Sequence, residues 1–282
     1  LTPFDQNGKV DIGTMEKLVD FLIVHGIDGF LPCGTTGEGM LLSIEERKLV
    51  AETVVRQNGG RVYIMDHTGC ITTAETIELT LHARAIGADC ASVITPYFFS
   101  YDDEALFEYY MAVANSVPDF PIALYSYPGN AKQGISLELF TRLRKSAPNI
   151  TALKLSDPNL IRFQEYVQAG GEQFCTLCGV DALALPALSV GGVGQVSGNS
   201  NVFPEVFCKL YNAFMAGDLQ EAQRQQVMIN RIRAILKDDL AYFKAAMRLR
   251  GIPVGDPRPP LRKLDVKELA EMEIGIQELG LL

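Results

Sequence analysis

Histidine is scarce in this chain, three in 282 residues, and basic side chains are outnumbered, 25 Lys and Arg against 34 Asp and Glu for a net charge of −9. So few histidines disfavour a metal centre or a Ser-His-Asp triad. An acidic chain without a block of Lys and Arg is a poor match for nucleic acid or an anionic membrane surface. No run of about 18 uncharged apolar residues is present, so no membrane-spanning helix is expected. The six cysteines are unevenly spaced, and no signal-type segment opens the chain. Both features point to a reducing, cytoplasmic setting rather than a disulfide framework. What is present is an ordinary globular composition, 48% apolar and 21% charged, which rules out a disordered chain. A length of 282 residues suits two average domains or one α/β barrel.

The organising pattern is an alternation. Short apolar or β-branched runs at 29–33, 62–65, 91–95, 122–125, 151–155, 174–177 and 194–197 each precede a helix-period segment, and the early ones recur at the length of one βαβ unit. Ser43 to Glu46 and Thr72 to Glu75 fit helix-capping boxes. Asp157-Pro158 predicts a capping carboxylate before a first-turn proline, and the first helix, Ile12 to His25, should stop at Gly26. Leu1-Thr-Pro-Phe4 suggests one further strand, cut short at its start. Eight parallel strands alternating with helices predict an α/β fold, a (β/α)8 TIM barrel. The barrel is expected over 1–202. An eighth barrel helix and additional C-terminal helices (Asp218 to Leu236, Leu240 to Arg250 and Val266 to Leu279) fill 203–282 of the same domain.

In such a barrel the chemistry sits at the C-terminal ends of the strands. Lys154, in Ala152-Leu-Lys-Leu155, is a charge in a buried-type strand, which is rare unless the charge is paired or functional. One alternative is an ion pair with Asp157. The other is an amine whose pKa desolvation lowers, able to attack a carbonyl and form a Schiff base. Gly34-Thr-Thr-Gly-Glu38 can converge backbone N–H groups and two hydroxyls on a carboxylate or phosphate, or be an ordinary tight turn. Tyr125, at a strand end one strand from Lys154, is either a core aromatic or a proton shuttle. Cys175 and Cys178 share C-x-x-C spacing, but an offset of three on a strand puts them on opposite faces. His67 ends a strand, and no second histidine or serine stands out in the sequence to complete a metal site or triad with it. Gly191-Gly-Val-Gly194 precedes its strand and so reads as a packing turn.

Taken in order, Gly34-Thr-Thr-Gly-Glu38, Thr95-Pro-Tyr97, Tyr125-Ser-Tyr-Pro128, Lys154, Gly179 and Gly194-Gln-Val-Ser-Gly198 resemble the dihydrodipicolinate synthase and N-acetylneuraminate lyase family of class I, pyruvate-type aldolases, over nearly the whole chain. The resemblance implies catalysis by Lys154, Tyr125 and Thr35. Lys154 would form the iminium with a 2-oxo acid, Tyr125 would relay protons, and Thr35 and Thr36 would hold the carboxylate. It also implies Gly34, Thr36, Asn130, Gly179 and Val196 at the substrate, no cofactor or metal, and a homotetramer in which an aromatic loop (Tyr97, Phe98, Phe99, Tyr101) makes subunit contacts.

Two departures bear on substrate. Phe98 stands where the synthases carry a second tyrosine, and the neutral Asn130 where they carry an arginine that grips a second carboxylate, with Lys132 in a different register. The Tyr-Ser-Tyr-Pro form and Asp256-Pro-Arg-Pro-Pro260 look closer to 2-keto-3-deoxy-sugar-acid aldolases. The expected activity is cleavage or formation of a 4-hydroxy-2-oxo acid, with pyruvate and an aldehyde as the other side. Alternatives are dihydrodipicolinate synthase, a sugar-acid dehydratase, and a non-catalytic small-molecule sensor.

Overall fold

The computed structural model describes residues 1–282. The chain divides into two compact units, Gly29–Leu31 with Tyr63–Val196, and Leu1–Asp28 with Pro32–Val62 and Ser197–Leu282.

The first unit contains the sheet. Its strands are β1 (Gly29–Phe30), β2 (Tyr63–His67), β3 (Cys90–Ile94), β4 (Ile122–Ser126), β5 (Ile150–Leu155), β6 (Cys175–Cys178) and β7 (Gly194–Gln195). They pair in sequence order, all parallel, the arrangement of the TIM-barrel class. β3 and β4 are buried along their whole length, as parallel strands covered on both faces require. Helices Thr73–Ala85, Asp103–Ser116, Leu137–Ser146 and Leu160–Gly170 fill the crossovers. Thr72, Asp102, Ser136 and Asn159 each accept an N–H of the first turn, satisfying donors a helix start leaves open. The expected cap at Asp157 is therefore corrected. The helix begins two residues further on, because Asp157 Oδ1 accepts the Asn159 N–H (2.8 Å) and Oδ2 pairs with Arg162 (2.6 Å).

One residue from each strand, or just beyond it, builds an apolar floor. Met65, Cys90, Ala123 and Ala152 are buried together, with Leu31, Leu177 and Val196 packed against them. Strand side chains alternate between faces. Two residues further along the same face therefore come Ser92, midway along β3, and His67, Tyr125, Lys154 and Gly179, at or just beyond the C-terminal ends of β2, β4, β5 and β6.

The second unit contains helices Ile12–Val24, Ile44–Asn58, Pro204–Met215, Leu219–Leu236, Leu240–Leu249 and Val266–Glu278. Ser43 and Glu46 form the expected capping box, and the first helix ends one residue before His25. The strand expected at Leu1–Phe4 is not formed. Phe4 makes a single antiparallel bridge with Val10, and its N–H goes to Val254 O at 3.1 Å. Pro3 has no N–H for a ladder. Asp5 Oδ1 accepts the Asn7 and Lys9 N–H groups, which turns the chain back at once. No helix is long and apolar enough to cross a membrane.

Candidate active site

Tyr125 and Lys154 are direct partners across β4 and β5. The Lys154 side chain leaves the sheet beneath the Tyr125 ring, with Nζ 4.0 Å from the ring centroid. Lys154 is 6% exposed and Tyr125 1%. Lys154 makes no ion pair. The carboxylate that could have taken it, Asp157, is held by Arg162 and the Asn159 amide instead. A buried lysine with an aromatic face and no carboxylate beside it is a candidate functional group.

Gly179 makes room for that amine. Its N–H donates to Leu155 O at 2.8 Å. A Cβ added there would overlap Ser156 Oγ and lie 3.2 Å from Lys154 Cε. Val196 donates its N–H to Cys178 O at 2.8 Å and belongs to the floor below. Asn130 is exposed, on the short turn of helix Pro128–Ala131. The structure thus brings Lys154, Tyr125 and Gly179 together over the floor that includes Val196, and leaves Asn130 outside that group.

Five residues around Tyr125 complete the wall. Ile94 and Ala131 pack against it, with Tyr97 and Tyr127 on the same cluster. Tyr127 stacks on it at a centroid distance of 6.2 Å, and the His67 ring meets it edge-on at 5.8 Å. Of these, His67 was visible in the sequence as a strand-end residue, but the Tyr127 stacking was not. Gln133 carried no signal at all. It fastens two loops by donating Nε2–H to Pro96 O (2.9 Å) and accepting the Tyr101 N–H on Oε1 (2.9 Å). The Thr95 hydroxyl donates to its carbonyl (3.0 Å). The two departure residues, Asn130 and Phe98, are both exposed. Phe98, at φ +81, is 73% exposed.

Cys175 and Cys178 occupy the two ends of β6, one exposed and one buried. Burial pushes the Cys178 thiol up to about 11, the opposite of what a reactive thiolate needs. Gly191 to Gly194 is a packing turn, since a Cβ on Gly192 would lie 2.9 Å from the Phe163 ring.

The second unit holds the Gly34–Glu38 turn. The Glu38 N–H donates to Thr35 O at 3.1 Å and the Gly39 N–H to Gly34 O at 3.2 Å. Glu38 has φ +56. A Cβ at Gly39 would overlap the Cys33 carbonyl, so only glycine lets the chain fold back this tightly. Gly34 is buried, and Thr35 and Thr36 are half-buried.

The profile of the Dihydrodipicolinate synthetase family matches residues 1–279. A 4-hydroxy-tetrahydrodipicolinate synthase of Geobacter sp. (strain M21) is 36% identical over 284 residues, covering 100% of this chain and 97% of that protein. Among solved structures, YagE of E. coli K12, a prophage protein of the dihydrodipicolinic acid synthase family in complex with pyruvate, matches at TM-score 0.95 and 30% identity, covering 100% of this chain and 96% of that one. The Ruminococcus gnavus sialic acid aldolase matches at TM-score 0.95 and 26% identity, covering 99% of this chain and 94% of that one. These matches set the fold as a (β/α)8 TIM barrel with C-terminal helices, and the chain belongs to the dihydrodipicolinate synthetase family, whose members are class I, Schiff-base-forming lyases and aldolases.

Proposed function

We propose that this protein is a metal-independent aldolase that cleaves a 4-hydroxy-2-oxo acid of the 2-keto-3-deoxy sugar-acid type to pyruvate and an aldehyde, or joins the two in reverse. One observation carries the proposal: Lys154 is buried at the C-terminal end of β5, unpaired, with Nζ 4.0 Å from the Tyr125 ring centroid. The neutral amine adds to C2 of the oxo acid, and loss of water gives the protonated imine. Breaking C3–C4 sends its electron pair into the imine to form an enamine, while the C4 hydroxyl gives up its proton and becomes the aldehyde. Protonation at C3 and hydrolysis return pyruvate and the free lysine. Tyr125 carries the protons of these steps. Thr35, Thr36 and the Gly34 turn amides take the substrate carboxylate, while Gly179 and Val196 shape the space at the lysine.

The distal half of the substrate is assigned as hydroxylated and uncharged, because Asn130 offers an amide where a second carboxylate would need a guanidinium. The relatives named 4-hydroxy-tetrahydrodipicolinate synthase favour that synthase activity as a second reading. Phe98 and Asn130 speak against it. A carboxylate bound without its charged partner loses on the order of 3 kcal/mol. Assay against a panel of 2-keto-3-deoxy acids, with pyruvate release as readout, should find a substrate, whereas dehydration would consume the acid without releasing pyruvate. Robust turnover of micromolar aspartate semialdehyde would replace this proposal with the synthase. The same proposal includes a homotetramer. Phe98 and Phe99, 73% and 57% exposed and packed edge to face at 5.1 Å, are an apolar pair a subunit contact would cover. Light scattering at micromolar concentration should return a tetramer mass, and an active monomer would exclude it.

A further inference from the structure

The Gly34–Glu38 turn ends in a carboxylate sealed from solvent. Lys244 Nζ lies 2.6 Å from Glu38 Oε1, and both side chains are 0% exposed. The other carboxylate oxygen, Oε2, accepts the Arg258 backbone N–H at 2.7 Å. Lys244 comes from helix Leu240–Leu249. It also donates to Asp256 O at 3.1 Å and lies 4.1 Å from the Phe4 ring centroid. Arg258 continues the grip: its guanidinium donates to Leu41 O at 2.9 Å and to both Glu46 oxygens at 2.7 Å. The far side of the turn is held as well, with the Thr2 hydroxyl donating to Gly37 O at 2.5 Å. Burial pulls the Lys244 amine below the ordinary lysine range, against the opposing pull of Glu38.

A pair this deeply buried is weak as a stabilising device, because desolvating two charges offsets their attraction and apolar replacements often do as well. What it does supply is a fixed geometry at one end of the turn. Glu38 is a non-glycine residue in the left-handed region, a conformation that needs enforcement from outside. Its own carboxylate provides this, tied at both oxygens to separate segments.

We infer that the Glu38–Lys244 pair is a positioning device that holds Thr35 and Thr36 in the one conformation that receives the substrate carboxylate. This rests on the proposed role of the turn. Neither Glu38 nor Lys244 touches substrate; both act through the backbone of the turn.

The test measures KM and kcat for the oxo acid, with thermal stability recorded alongside. Glu38→Gln keeps shape and an acceptor for Arg258 while losing the charge, and Lys244→Met keeps the stem while losing the ammonium. Each should raise KM by ~10-fold or more with kcat within about 2-fold, since misplaced binding groups cost ground-state and transition-state binding alike. Lys244→Arg, which keeps the charge, should fall between them and the parent. Lowered stability with KM unchanged, or a fall in kcat alone, would overturn the inference. Thr36→Ala separates it from its premise. If Thr36→Ala leaves KM unchanged, the turn does not bind the carboxylate and both fall; if it raises KM while the charge variants do not, only the positioning inference falls. Should the charge variants fail to fold, hydrogen exchange on the unaltered protein decides. Added pyruvate should slow the amides of 35–38 and of helix 240–249 together, and protection confined to the turn would refute the coupling.

Discussion

Gly179→Ala places one methyl group where the structure leaves no room for it. Gly179 is not in the left-handed region, so the backbone tolerates alanine and the cost is one of space. The new Cβ would overlap Ser156 Oγ and stand 3.1 Å from Ser156 Cβ and 3.2 Å from Lys154 Cε. Rotating Ser156 relieves the first clash but not the second. The Lys154 chain must then give by a few tenths of an ångström against a floor already filled by Ala152 and Leu177. Overpacking of this kind costs ~1–3 kcal/mol, a fall in Tm of roughly 2–5 °C for a chain of this size. If Lys154 forms the proposed Schiff base, displacing its amine costs more in rate, because misplacement by ~1 Å takes up to ~10²-fold. We therefore expect kcat to fall by between ~10- and ~10²-fold, with a smaller change in KM. Differential scanning fluorimetry and coupled pyruvate release measure the two effects. Parental kcat together with parental Tm would show that Gly179 does not shape the space around Lys154, and the steric account would fail.

Tyr125→Phe should lower kcat by ~10²–10⁴-fold, the usual contribution of a general acid–base group, and move KM much less; a large rise in KM with kcat intact would make Tyr125 a binding wall. Activity should survive prolonged treatment with EDTA, and a loss restored by a divalent cation would contradict the metal-independent mechanism. Arg258, through its side-chain hydrogen bonds, holds the Glu46 carboxyl below its ordinary 4.5. That contribution to stability is fully present above about pH 4.5 and is lost as pH falls through the lowered value. The Tm gap between the parent and Glu46→Gln should therefore narrow on acidification, and a gap constant with pH would disprove it.

Much of this architecture was legible because parallel strands buried on both faces leave apolar runs that stand out between polar helix starts. Ser43 with Glu46, Thr72, and the helices ending the chain could be read from local chemistry alone. Leu1–Phe4 was misread because a short, partly apolar run does not say what it pairs with, and here Pro3 and the Asp5 turn send the chain back onto Val10. Asp157 was misread as a cap because nothing local announces Arg162 as a competitor for its carboxylate. The rule that drew attention to Lys154, a charge inside an apolar stretch, applies equally to Lys244 in Leu240-Ala-Tyr-Phe-Lys-Ala-Ala-Met247. At Lys244 the buried charge is answered by Glu38, whereas at Lys154 no carboxylate answers it. That difference depends on contacts more than 200 residues apart in sequence, Glu38 to Lys244, which no local pattern encodes. The Gln133 clamp is likewise a product of tertiary contact between two loops.

The claim on which the rest depends is that Lys154 is the nucleophile, and borohydride trapping tests it most directly. Incubation of the protein with pyruvate and borohydride, followed by digestion and mass spectrometry, should place one reduced pyruvyl adduct on the peptide containing Lys154 and none on Lys154→Ala. An adduct on another lysine, or labelling of Lys154→Ala at the parental rate, would contradict the account.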